Sequence, residues 1–394
     1  MFKLRFLTAG ESHGKALTGI IEGIPANLEL TEEYINVQLK RRQKGYGRGG
    51  RMKIESDRVE ILSGVRWGKT LGSPLSLMVK NRDWENWIDG MGVDSSKRGS
   101  ISAVTRPRPG HADLPGIIKY NQQDIRNILE RSSARETTMR VALGSVARRL
   151  LEEFGIKIGG FVTSIGSVRF SVNQAELVEA ELLELFRKAD ESELSVPDGE
   201  VERRMKDEID RAKAGGYSLG GTFVVFATGL PVGLGSHIQW DRRLDARIAQ
   251  AMMGIQAIKG VEIGTGFLMS ERPGSEVMDE LFPSTGERPL SVRRKTNHAG
   301  GIEGGMTNGM PVLVRAAMKP IPTQARPLKS IDIETGEAIE AAYERSDVCA
   351  VPAAEVIGEA MLALVLCDAF LEKFGGDSIE EIEANLKNYL SSYQ

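Results

Sequence analysis

From Ala353 to Phe374 apolar residues recur on every side of a 3.6-residue period, which predicts a helix buried between layers. Runs rich in Val, Ile, Thr and Phe at Ile54–Leu62, Phe161–Phe170 and Thr222–Ala227 predict strands. Thr31–Arg42 and Asp241–Ile258 carry helical spacing. Strands mixed with long helices predict an α+β sandwich in preference to a doubly wound sheet. Residues 173–213 are dense in Glu, Lys, Arg and Asp, with helical spacing in "LVEAELLELFRKA" and "VERRMKDEIDRAKA". They predict a solvated helical excursion without chemistry of its own. Ala214–Trp240 is free of charge, but its seven glycines and one proline predict a strand and turn, not a membrane span.

The pattern repeats. "IEGIPANL" (21–28) is echoed by "ATGLPVGL" (227–234), and "GSPLSLMVK" (72–80) by "GMPVLVRAAMK" (309–319). "ERSS" (130–133) and "ERSD" (344–347) precede helical stretches ending "LLEEFG" and "FLEKFG". Four echoes in one order predict one domain over 1–394, built from two α+β halves at about 1–155 and 221–380. Such halves present equivalent loops to a shared cleft.

Composition narrows the function. At 394 residues, 41% hydrophobic and 27% charged, the chain can bury a core. A net charge of −3 argues against a nucleic-acid footprint, so a local basic tract suits a pocket better. Two cysteines, Cys349 and Cys367, give no zinc pattern, and the N-terminus has no long apolar segment. A reduced cytoplasmic setting is expected.

That basic tract is "KGYGRGGRMK" (44–53), preceded by Lys40, Arg41 and Arg42. Gly45, Gly47 and Gly50 fit Gly-x-Gly-x-x-Gly, but a basic helix precedes and a strand pattern follows, the reverse of a dinucleotide fold. An RNA-binding Arg-Gly segment would be longer, with more aromatics than Tyr46. A plain glycine-rich turn with solvated cations stays open beside the favoured alternative, an anion cradle. Glycines let backbone N–H groups approach a ligand, and guanidinium forks match phosphate and carboxylate oxygens. "TRPRPGHADLPG" (105–116), "RSSARETTMR" (131–140) and "KPIPTQARP" (319–327) have the same composition.

Of four histidines, His13 and His111 lie in glycine-flanked polar turns, where a proton donor to a departing oxyanion is useful. His237 and His298 lack such a neighbourhood. Asp347 follows Arg345 by two residues, so both can share one side of an extended segment.

Taken together, "GESHG", "RRQKGYGRGGRMKIESD", "RPRPGHADLPGIIKY", "ERSSARETTMR", "GLPVGLGS", "GGIEGGMTNG", "KPIPT" and "ERSD" closely resemble the chorismate synthase family, from about Thr8 to Asp347. The resemblance implies a β-α-β sandwich, a homotetramer, reduced FMN, and 1,4-anti elimination of phosphate from 5-enolpyruvylshikimate 3-phosphate. It implies that His13 protonates the leaving phosphate, that His111 protonates flavin near N1, and that Asp347 assists flavin N5. Ser12 and Ser132 would relay protons. FMN contacts carry over to Arg131, Ser132, Ser133, Gln256, Ala257, Gly304, Lys319, Pro320, Ile321, Pro322, Thr323 and Arg345. Arg42 and Arg48 match positions linked to NADPH, here an indirect reductant, and an external flavin reductase is the expected partner.

Substrate and FMN together bring roughly six negative charges, which would cost several kcal/mol each if left unpaired. Arg42, Arg48, Arg106, Arg108, Arg131, Arg135 and Lys319 are the expected compensators. An FMN-dependent oxidoreductase acting on an anionic metabolite is the alternative.

Overall fold

The computed structural model describes residues 3–47, 57–283, 292–343 and 347–393. Apart from four two-stranded pairs, the described strands form two antiparallel sheets. The first holds β1 (Arg5–Ala9), β2 (Ala16–Glu22), β3 (Val59–Ser63) and β4 (Leu75–Lys80), in spatial order β1-β2-β4-β3. The second holds β5 (Lys157–Ile165), β6 (Gly221–Thr228), β7 (Ile258–Ile263) and β8 (Val312–Met318), in order β5-β6-β8-β7, with Val168–Arg169 beyond β5. The two orders correspond strand for strand. The four sequence echoes fall at matching places in them: after β2 and β6, at β4 and β8, and around the helix that closes each set.

The helices are α1 (Glu32–Gln43), α2 (Asp113–Tyr120), α3 (Arg126–Ser132), α4 (Thr137–Glu153), α5 (Glu179–Glu191), α6 (Gly199–Gly215), α7 (Leu244–Met253), α8 (Val351–Phe374) and α9 (Ile379–Tyr393). Helix α4 packs on the first sheet and α8 on the second, and the two pack on each other, with α1 and α7 alongside. The result is the expected sandwich of sheet, helices and sheet. Helix α8 is buried nearly all round, as its all-round apolar pattern requires. Helix α1 starts where Thr31 accepts the N–H of Tyr34, with Glu32 and Glu33 in its first turn. Lys40, Arg41 and Arg42 fill its last turn, where cations oppose the helix dipole.

Strand β4 alternates buried Leu75, Leu77 and Val79 with more accessible positions. Strand β6 does not alternate. Phe223 and Val225 join the central core, while Val224 and Phe226 join a second cluster with Leu182 and Ala189 of α5. The charged excursion is therefore helical as expected but not simply solvated: α5 covers the outer face of the second sheet, and Met205, Ile209 and Ala212 of α6 are buried.

Three other expectations shift. Phe161–Phe170 is a strand end and a hairpin, because Gly166 takes a left-handed φ of 54°. Asp241–Ile258 holds a 3-10 turn at its start and an α-helix only over Leu244–Met253, since Gly254 ends the helix and Ile258 starts β7. Within Ile54–Leu62 the described strand starts at Val59; residues 54–56 lie outside the described residues. Among the described residues no helix is long and apolar enough to cross a membrane.

Candidate functional site

Two short helices carry the centre of the site. Gly116 of α2 lies so close to Ile128 of α3 that a Cβ there would overlap the isoleucine side chain. Ile117, Ile125 and Leu129 form a small apolar cluster between them. This packing fixes two acids, Asp113 at the start of α2 and Glu130 near the end of α3.

Each acid holds a histidine. His13 Nδ1 lies 2.8 Å from Glu130 Oε1, and the His13 backbone N–H donates to Glu130 Oε2 at 2.8 Å. Burial alone would raise Glu130, yet its hydrogen bond and charge contact with His13, and the charge of Arg126, hold it below the usual carboxylate range. His111 Nδ1 lies 2.5 Å from Asp113 Oδ1, and Arg108 Nε donates to Asp113 Oδ2 at 2.8 Å. Burial would likewise raise Asp113; hydrogen bonds from His111 and Arg108 hold it far below that range. Both acids are thus ionised acceptors, so each Nδ1 carries the proton. Arg108 Nη2, 3.1 Å from His111 Nδ1, is then a neighbour and not a hydrogen-bond donor to that atom.

Contacts from these pairs close into a circuit. Ser12, next to His13, receives a hydrogen bond from Ser133 Oγ at 3.3 Å. Ser133 caps the turn leading to buried Glu136, which accepts from Thr8 at 2.7 Å and from Gln256 Nε2 at 3.1 Å. Ala257, in the left-handed region at φ 67°, accepts the backbone N–H of Lys319 at 2.9 Å. Lys319 Nζ donates to the carbonyl of Gly110, the neighbour of His111. Thr323, four residues on, accepts from Arg108 at 3.2 Å. The segment from Lys319 is braced by Ser218, whose hydroxyl donates to the Ile321 carbonyl at 2.6 Å, and Gly220 lies against Pro320. Arg131 joins the rim by donating to the carbonyls of Thr8, at 2.8 Å, and Gly10, at 3.2 Å.

Other expected residues lie elsewhere or point differently. Ser132 donates to the Ile128 carbonyl at 2.9 Å, so the hydroxyl meeting Ser12 is that of Ser133. Arg42 and Arg135 are buried and converge on Asp57, Arg135 at 2.6 Å and Arg42 at 3.9 Å. Arg42 also donates to the Ala134 carbonyl, and Arg135 to Asn81. Arg106 is exposed, its carbonyl accepting from Ala342 at 3.4 Å. Gly304 sits in a hairpin with His237 as its near neighbour. Pro322 flanks Thr323 in the braced segment. Arg48 and Arg345 lie outside the described residues, but Val348 donates to the Gly47 carbonyl at 3.3 Å, which brings Asp347 beside the glycine tract.

Glu130, Asp113, Arg126 and Trp87, which stacks on the His13 ring, are not among the site residues expected from the sequence. Asp113 had a signal, two residues from His111. Glu130, 117 residues from His13, had none beyond its place in "ERSS".

The Chorismate synthase family model matches residues 4–371. The chain belongs to the chorismate synthase family. It is 60% identical over 391 residues to the chorismate synthase of Aquifex aeolicus and 59% identical over 386 residues to that of Desulforamulus reducens, each covering 98% of both chains. A crystal structure of chorismate synthase, 51% identical, aligns with a TM-score of 0.81 over 99% of this chain and 98% of the other. The reaction defining chorismate synthases is 1,4-anti elimination of phosphate from 5-enolpyruvylshikimate 3-phosphate, so this is a carbon–oxygen lyase. The family uses reduced flavin.

The residues fit that flavin. Gln256 Oε1 is buried without a hydrogen-bond partner among the described residues, an acceptor suited to a ribityl hydroxyl or a ring N–H. Burial, with the charge of Lys259, lowers the Lys319 ammonium below its ordinary value, a cost that a neighbouring phosphate would offset.

Proposed function

We propose that this chain performs the phosphate elimination with His13 as the acid facing the departing phosphate and His111 as the acid facing flavin N1. Asp347 is the carboxylate assisting proton removal from C6. The observation that carries this assignment is the pairing of each histidine with an ionised, buried carboxylate on two packed helices, inside one circuit of contacts with Gln256 and Lys319. A histidine so held keeps its Nδ1 proton and exchanges the other at Nε2.

Arg131, Ser132, Ser133, Gln256, Ala257, the segment Lys319–Thr323, Gly304 and Arg345 are the proposed FMN ligands. Reduced FMN, when bound, supplies the electron density that an unactivated C–H bond requires without net redox change. The chain's own part is to hold ligands dry, offset their charge and place protons. Arg42, Arg48 and Arg135 are proposed at the substrate side or, for the first two, at an NADPH-linked site. Internal pairing of Arg42 and Arg135 with Asp57 makes them fixed positive walls instead of mobile grips. A homotetramer in the cytoplasm, an external flavin reductase and NADPH as indirect reductant complete the proposal.

FMN titration by flavin fluorescence tests the placement. Gln256→Ala should weaken binding roughly threefold, about the value of one neutral hydrogen bond, and Lys319→Ala by roughly tenfold or more, that of one to a charged group; unchanged affinity in both overturns it.

A further inference from the structure

We propose that Glu130 and Trp87 are positioning residues for His13, locking its ring so that Nε2 is the nitrogen presented to the ligand. This rests on the assignment of His13 as a proton donor and adds what makes that donor competent.

One carboxylate holds His13 twice. Glu130 Oε2 takes the backbone N–H at 2.8 Å, and the two oxygens take Nδ1 at 2.8 and 3.0 Å. Main chain and ring of one residue are therefore tied to the same rigid group, whose side chain is 1% exposed. An ionised carboxylate only accepts, so the proton on Nδ1 is fixed and the tautomer with it.

Trp87 supplies the third constraint. Its ring stacks on the imidazole with centroids 4.1 Å apart and planes 30° apart. A hydrogen bond from its Nε1 to Asp83 at 3.0 Å sets its own orientation. Arg126 lies over the same indole at 5.0 Å and reaches Glu130 at 3.4 Å. Flipping the imidazole would break the Glu130 contact, and tilting it would break the stack.

The same construction recurs at His111: carboxylate on Nδ1, arginine on the carboxylate. Two histidines of different segments thus have Nδ1 fixed in the same way, although at His111 the Arg108 Nη2 also lies 3.5 Å from Nε2. A histidine held in one tautomer by a buried carboxylate is a recurrent device of acid–base sites.

The test combines kinetics with 15N-histidine NMR. The chain has four histidines, so the His13 ring signals are assigned by their loss in His13→Ala. In alkaline buffer wild-type His13 is expected as the Nδ1–H tautomer, and Glu130→Gln as a mixture. Glu130→Gln should lower kcat roughly 10- to 100-fold with KM little changed, below the 10²–10⁴ expected for losing the acid itself. Trp87→Ala should behave similarly, and Trp87→Phe, which keeps a stacking ring, should recover most of the rate. An Nε2–H tautomer in the wild type overturns the proposal even if no variant folds, as does full kcat in Glu130→Gln. Full activity in His13→Ala would instead overturn the acid role of His13, a separate failure.

Discussion

Val348 donates its backbone N–H to the carbonyl of Gly47 across 3.3 Å, and its own carbonyl accepts from Leu219 at 2.8 Å. Asp347 is thereby fixed at the edge of the glycine-rich tract by main-chain bonds that do not involve its side chain. Asp347→Asn should keep this geometry. FMN affinity is expected to stay near wild type while turnover drops by roughly 10²-fold or more. Parallel loss of both, read by fluorescence titration and phosphate release, would assign Asp347 to folding.

Lys319 gives a pH prediction. Because burial and Lys259 lower its ammonium, it sheds its proton below the ordinary lysine value of 10.5. FMN affinity should be fullest below the shifted value and fall as pH rises through it. Lys319→Arg, which stays charged, should flatten that fall. The same slope in both proteins would place the phosphate elsewhere.

The middle of the sandwich holds a buried ionic cluster that predicts opposite pH effects. Glu359 accepts from Arg41 at 2.6 and 2.8 Å and from Arg148 at 2.6 Å. Burial alone would raise it, but the two arginines hold it at about 2. Its contribution to stability is complete above the unfolded value of 4.5 and is lost as pH falls toward about 2. Glu359→Ala takes from buried Arg41 and Arg148 the carboxylate they share, leaving Arg41 only Asp190 and Arg148 only Glu152, and should cost about 3 kcal/mol in denaturant unfolding.

Glu355, one turn earlier on α8, is pushed well up by burial and then by the charge of Glu359. Its raised value makes stability fall as pH rises above 4.5. Glu355→Gln should therefore raise Tm at pH 7, with the gain vanishing below about pH 4.5. A lower Tm at pH 7 would contradict this.

Gly144 marks a close approach of α4 to α8: a Cβ there would lie 2.6 Å from that of Ala360. Gly144→Ala must push apart the helices that join the two sheets. A loss of roughly 1–3 kcal/mol is expected, despite the better helix propensity of alanine. Unchanged stability would show that the layer yields.

What the sequence revealed and hid follows from where partners reside. Helix α8 was legible because its own residues are apolar on every side, but its ionic cluster was not, since Arg41 and Arg148 arrive from other helices. Arg41, counted with the cationic run, is spent on Glu359 and Asp190 instead of facing a ligand. The excursion was read by its charges, although Leu182 and Ala189, seven apart, already traced a stripe for β6 to bury. His13 and His111 stood out by their glycine turns. Glu130 and Trp87, which hold His13, come from segments 117 and 74 residues away in the chain, a distance no local pattern spans.

Phosphate release from 5-enolpyruvylshikimate 3-phosphate, followed under strict anaerobiosis with a limiting amount of chemically reduced FMN, is the decisive assay. The wild-type chain should release many phosphates per flavin while the flavin ends reduced, and His13→Ala and His111→Ala should each be slower by roughly 10²- to 10⁴-fold. One phosphate per flavin oxidised, or wild-type rates in both variants, would contradict a non-redox elimination run by two histidine acids.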